Sequence, residues 1–143
     1  MILNMSAQHQ GAGALQPGRV GSVTVARRGG AHSAPARQRP RAPCSPPPAM
    51  VALMEAAAVA CVEDQLDAGQ ETLGVHLDIE HIAATPVGLT VTATAELIER
   101  DGRKLLFKVE AHDQRELIGR GRHTRIIVDS ARFRGKLATK LAG

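Results

Sequence analysis

Two side chains in this 143-residue chain stand where proton transfer could be done. Glu55 is the only charge between Ala49 and Val62, and a carboxylate withdrawn from water is a stronger base than a solvated one. His81 follows a run in which Leu73, Val75, Leu77 and Ile79 alternate with Thr72, Gly74, His76, Asp78 and Glu80. There the alternation stops, and small residues lead into Thr85-Pro86-x-Gly88, a breaker cluster. A titratable imidazole at the end of a strand, beside small neighbours, has room for a ligand. Together the two offer general acid–base chemistry. At the level of these residues alone the plainer readings stay open: a carboxylate paired with a buried arginine, and a solvated loop histidine. His76, on the polar side of its strand, and His112 and His123 on later strands are weaker candidates. No spacing among His and Cys supports a metal site.

The elements that must position Glu55 and His81 can be read from periodicity. Ala49–Val62 is rich in helix formers and apolar nearly all round, which predicts a helix buried on most sides, with polar residues finishing it by 66 and a stop at Gly69. Period-two alternation over 72–80 predicts a strand with one buried face. Similar alternation follows at Leu89–Leu97 and Leu105–Ala111, joined by the hairpin signal Arg100-Asp-Gly-Arg103. A last strand is expected over 117–128, giving four consecutive strands in a meander. Phe133, Leu137 and Leu141 recur at i, i+4, i+8 and predict a short C-terminal helix whose other faces carry Arg132, Arg134, Lys136 and Lys140. One helix enclosed by an antiparallel sheet is an α+β architecture, and its open edges favour pairing of two copies across a two-fold axis.

The N-terminal third is different in kind. Residues 1–49 contain six arginines and no acid, whereas residues 50–143 hold twelve basic and fourteen acidic residues. The net charge of +4 therefore belongs to the tail. Val20–Val25 is a candidate short strand, but from 26 to 48 Arg, Pro, Ala, Gly and Ser dominate and too little apolar surface exists to offset ordering. We expect residues 1–48 to be low-complexity and disordered, apart from 15–25, and residues 49–143 to form the domain. Phe107 and Phe133 are the only aromatics, so base-stacking nucleic-acid binding is not expected. No apolar run has membrane-spanning length, and Cys44 and Cys61 form no disulfide framework, which points to a cytoplasmic protein.

Taken in order, Met50-Val-Ala-Leu-Met-Glu55, His81-x-Ala-Ala-Thr-Pro-x-Gly88-Leu-Thr-Val-Thr, Asp101-Gly-Arg103, Ala111-His-Asp113 and Ile118-Gly-x-Gly-x-His123-x-Arg125 resemble the hot-dog-fold acyl-CoA thioesterases, and among them the fluoroacetyl-CoA thioesterase-like group. The resemblance covers residues 49–134 well and 15–25 faintly. It implies a homodimer, an antiparallel sheet wrapped around a buried helix, and hydrolysis of an acyl-CoA near the dimer interface without a cofactor, coenzyme A being part of the substrate. It also implies a catalytic Thr, Glu and His. Glu55 and His81 fall on two of these positions; the third falls on Pro47, inside Pro46-Pro-Pro48. Ala84, Thr85, Pro86 and Gly88 become candidate substrate contacts. Arg120 and Arg122, with Arg125, are candidates for the coenzyme A phosphates. The missing Thr keeps two alternatives in view: a non-catalytic acyl-CoA-binding or dimerisation module, and a hot-dog hydratase or dehydratase. It also prompts a genetic reading. Arg41–Pro48 can be encoded by a string one of whose other frames contains Leu-Leu-Ala-Thr-Pro, so residues 26–48 are expected to lie between two compensating frame shifts.

Overall fold

The computed structural model describes residues 15–26, 44 and 47–143. Its order is β1 (Val20–Ala26), α1 (Pro47–Val62), a 3₁₀ turn (Glu63–Gln65), β2 (Gln70–His81), β3 (Thr90–Asp101), β4 (Lys104–His112), β5 (Leu117–Asp129) and α2 (Ser130–Ala142). The expected disorder of the N-terminal third falls on residues 1–14, 27–43 and 45–46, which lie outside the described residues. Helix α1 begins two residues before Ala49, with Pro47 and Pro48 in its first turn, where the missing N–H groups have no helical partner to lose. It ends at Val62 rather than 66, because Glu63–Gln65 tightens into the 3₁₀ turn.

The α+β class is as expected, but the strand order is not a four-strand meander. One five-stranded antiparallel sheet runs β1-β3-β4-β5-β2. Only β3, β4 and β5 form consecutive hairpins; β2 pairs with β5, from Gln70 opposite Asp129 to His81 opposite Gly119. The eight residues 82–89 are too long for a tight hairpin and carry the chain across two strands to β3, a crossing that alternation within strands could not reveal.

Helix α1 lies against β1, β3 and β4 and touches β2 little. Close approach to β1 depends on Gly21, where a Cβ would stand 2.5 Å from the Ala57 carbonyl oxygen and the Cys61 nitrogen. The core gathers Met50, Met54, Ala57, Ala58 and Cys61 of α1 with Val23, Val91, Leu97, Leu105, Phe107 and Val109. Arg19, assigned by composition to the basic tail, is buried. Its Nε donates to the Cys61 carbonyl at 3.1 Å and its Nη2 meets Asp64 at 3.1 Å, which closes the C-terminal end of α1.

The helix position has a cost at β2. Val75 is 54% and Leu77 42% exposed, and Ile79 is half-buried, so the expected buried face of this strand is not covered within one chain. A register shift between Gly74 and His76 further breaks the alternation. The C-terminal helix forms as expected, N-capped by Asp129, whose Oδ1 accepts from the Arg132 N–H at 2.8 Å. Its apolar stripe remains largely in solvent, with Leu137 half exposed and Leu141 90% exposed.

Candidate active site

Cross-strand neighbours in a sheet share a face, so register places the candidate residues. A Cβ on Gly119 would run into the Met50 side chain, so Gly119 faces α1. His81, directly opposite Gly119 on β2, lies on that inner face at the end of its strand, exposed. Continuing along β5, the same face carries Gly121, His123 and Arg125, opposite Ile79, Leu77 and Gly74. Glycines at 119 and 121 leave the wall low. At 121 a Cβ would collide with the Asp78 backbone.

Glu55 enters from the helix side, half-buried, and its charge acts on both His123 and Arg125. His123 is fully buried. Its Nδ1 lies 2.8 Å from the His76 carbonyl, which can only accept, so Nδ1 carries the proton. The Nε2 lone pair then accepts from Arg125 Nη1 at 3.1 Å. Burial holds the His123 imidazole below its ordinary range; the His76 carbonyl and Glu55 oppose this, and the Arg125 charge adds to it. Arg125 donates from Nε to Thr72 Oγ1 at 2.9 Å and from Nη2 to the Thr72 carbonyl at 2.8 Å. Burial lowers its pKa from the ordinary value and Glu55 raises it. A neutral imidazole and a fixed guanidinium thus meet on the inner face, within the field of the Glu55 carboxylate.

His123 and Arg125 carry more of this site than the sequence reading gave them. His123 ranked as a weak candidate and Arg125 was grouped with Arg120 and Arg122 as a basic residue for phosphates. The available signal was the spacing Gly119-x-Gly121-x-His123-x-Arg125, which puts polar side chains in line with glycines on a core-facing row. Arg120 and Arg122 alternate to the other face. There they line an open cleft of about 320 Å³ with Asp78, Glu80, Lys108 and Glu110, and Arg120 Nε lies 3.6 Å from Glu80. Within one chain they do not meet Glu55 or His81.

Glu55 and His81 share the inner face but, among the described residues, form no hydrogen bond with each other. Four residues of β5 separate the His81 row from the His123 row, roughly 13 Å along the strand. The loop after His81 is fixed from below. Thr85 is fully buried and donates to Asp113 Oδ2 at 3.1 Å, while Ala84, Pro86 and Gly88 are exposed. Gly88 takes φ +106°, open to glycine at little cost. Burial alone would raise the Asp113 pKa, but the Arg115 and Glu116 N–H groups, the Thr85 hydroxyl and the Arg115 charge together bring it below its ordinary value. Cys44 forms an isolated bridge with Pro86, which brings the chain just before α1 onto this loop. Pro47 itself begins α1 and has no hydroxyl or N–H to offer. No group of three or more metal-ligating side chains occurs among the described residues.

Residues 34–131 match the family described as fluoroacetyl-CoA-specific thioesterase. The chain belongs to that family. The match begins upstream of residue 49, where the resemblance becomes evident by eye, and leaves out 15–25. The fluoroacetyl-CoA thioesterase of Streptantibioticus cattleyicolor is 44% identical over 91 residues, which span 64% of this chain and 66% of that protein, just under two thirds of its length. A crystal structure of a variant of the fluoroacetyl-CoA-specific thioesterase is 32% identical, superposes with a TM-score of 0.80, and shares 90% of this chain and 99% of its own. A hot-dog-like protein from Thermanaerovibrio acidaminovorans, 17% identical, superposes with a TM-score of 0.77 over 89% of this chain and 93% of its own, a likeness of fold alone. Both structural likenesses fit a hot-dog fold.

Proposed function

We propose that the protein hydrolyses a short acyl-CoA thioester to the free acid and coenzyme A. The observation that carries this is Glu55, a charge in an otherwise apolar helix, whose field reaches the buried His123–Arg125 pair on the face that also carries His81. Family membership supplies the substrate class. Glu55 takes a proton from water, whose oxygen adds to the thioester carbonyl. N–H donors on the inner face stabilise the oxyanion, and its collapse breaks the C–S bond. His81 protonates the departing thiolate. The loop of Ala84, Thr85, Pro86 and Gly88 borders the acyl group, with Thr85 acting through its bond to Asp113 rather than on the substrate. No cofactor or metal takes part in this scheme.

The same reading makes the protein a homodimer joined at the free edge of β2. Val75 and Leu77 would be covered there, and Ile82 and Val87, also exposed, extend the patch. We place the protein in the cytoplasm; no helix among the described residues is long and apolar enough to cross a membrane.

Thiol release from acetyl-CoA and fluoroacetyl-CoA is the direct test. Turnover supports hydrolysis, binding without turnover supports the module reading, and neither would sink both. Pro47 at the family's Thr position makes slow turnover the expectation for this chain. Our account of that loss is the pair of compensating frame shifts around residues 26–48, under which the in-frame protein is the active one. Resequencing decides: a gene whose other frames under this segment contain no Ala-Thr-Pro removes the explanation.

A further inference from the structure

Among the described residues the His81 imidazole makes no hydrogen bond, so its place is set by the backbone that carries it. That backbone is tied down immediately after His81. The Ile82 and Ala83 N–H groups both donate to the Ile118 carbonyl, at 2.8 and 3.2 Å. One acceptor shared by two donors fixes the main chain at a single point on β5. The Thr85 hydroxyl, donating to Asp113 Oδ2 at 3.1 Å, supplies the second point, and two points set the direction of the loop.

Asp113 divides its carboxylate between two tasks. Oδ1 accepts from the Arg115 and Glu116 N–H groups at 2.8 and 2.9 Å and closes the turn between β4 and β5. Asparagine would close that turn as well. Oδ2 takes no part in it and is spent on Thr85, 28 positions earlier. Thr85 is fully buried, so its hydroxyl has no water to replace Asp113. Pro86, the next residue, bridges to Cys44, just upstream of α1. The loop held by Asp113 thus carries His81 before Thr85 and meets the approach to the Glu55 helix after it.

We infer that Asp113 is the positioning residue for His81: from the β4–β5 turn, through Thr85, it fixes the loop on which the imidazole stands. The inference rests on the reading of His81 as a catalytic group. A reacting group displaced by about 1 Å can lose about 10²-fold in rate, so such support bears on turnover. Gln114 ties the same turn to the Thr90 N–H at 3.3 Å, at the far end of the loop where β3 begins, and serves as the control.

Thr85→Val removes the hydroxyl at nearly constant volume, Thr85→Ser keeps it, and Gln114→Ala cuts the other tie. The histidine ring signals are compared by proton–carbon NMR, that of His81 being assigned by its loss in His81→Gln. Turnover is followed on acetyl-CoA and fluoroacetyl-CoA. Thr85→Val shifts or broadens the His81 signal while His123 keeps its own, and it lowers kcat at least about tenfold with KM within about twofold. Thr85→Ser restores both readouts, and Gln114→Ala leaves both as in the wild type. An unaltered His81 signal and kcat in folded Thr85→Val overturns the inference. So does serine behaving as valine does, displacement of all the histidine signals together, or the same effect from Gln114→Ala. Where valine unfolds the chain, Thr85→Ala, which removes the hydroxyl without adding bulk, is read in the same way. If the wild type turns over neither thioester, the hydrolase reading falls and the ring signals still decide whether Asp113 places His81.

Discussion

Removing the Glu55 carboxylate while keeping its shape, as Glu55→Gln does, takes away a base and leaves the packing of α1 intact. Turnover should fall by about 10²–10⁴-fold with KM little changed, since the interaction is made in the transition state. His81→Ala should behave alike. Steady-state kinetics on an active in-frame protein check both, and full activity in either variant refutes that assignment. His123 predicts a pH effect on stability. Its folded pKa is depressed below the ordinary 6.5, so the unfolded chain binds the proton more readily. The stability linked to His123 is therefore fully present above about 6.5 and is lost as pH falls below it. Thermal melts between pH 7.5 and 5 should show this decline, and His123→Gln should flatten it. An unchanged slope in the variant would place the sensitivity elsewhere.

At the scale of elements, the seating of α1 on β1 depends on the absence of a side chain at Gly21. A Cβ there meets helix backbone, which cannot step aside as a flexible side chain could. Gly21→Ala should destabilise the fold by about 1–3 kcal/mol, as overpacking does. Gly119→Ala meets mainly the flexible Met50 thioether, with the Glu80 carbonyl oxygen at 3.1 Å, and should cost less. Urea unfolding of the two variants ranks them; the reverse order would mean that α1 is not held where the structure has it.

For the whole molecule, the decisive surface is the edge of β2. Leu77→Lys puts a charge in the proposed seam and should give a folded monomer by light scattering at micromolar concentration, with circular dichroism unchanged. Val87→Lys, at the margin of the patch, should weaken association less. A wild-type monomer at that concentration would contradict the paired edge.

How far the chain can be read without coordinates follows from the range of each signal. Short-range patterns fixed the elements: the apolar run placed α1 within two residues of its start, and alternation placed β2 to β5 within a few residues of their ends. Glu55 and His81 stood out for the same local reason, a charge breaking an apolar run and an imidazole ending an alternation. The partners of strands were not local. That β2 pairs with β5 depends on where an eight-residue loop delivers the chain, and no periodicity encodes that. Alternation also says that a face is apolar but not what covers it, so Val75 and Leu77 read as core and stand in solvent within one chain. His123 and Arg125 needed the fold most. Their alternation with exposed Arg120 and Arg122 was visible, but only the helix on one side of the sheet decides which row is buried. The sequence by itself determined which residues could act, and tertiary structure decided which of them meet, because burial and charge depend on neighbours distant along the chain.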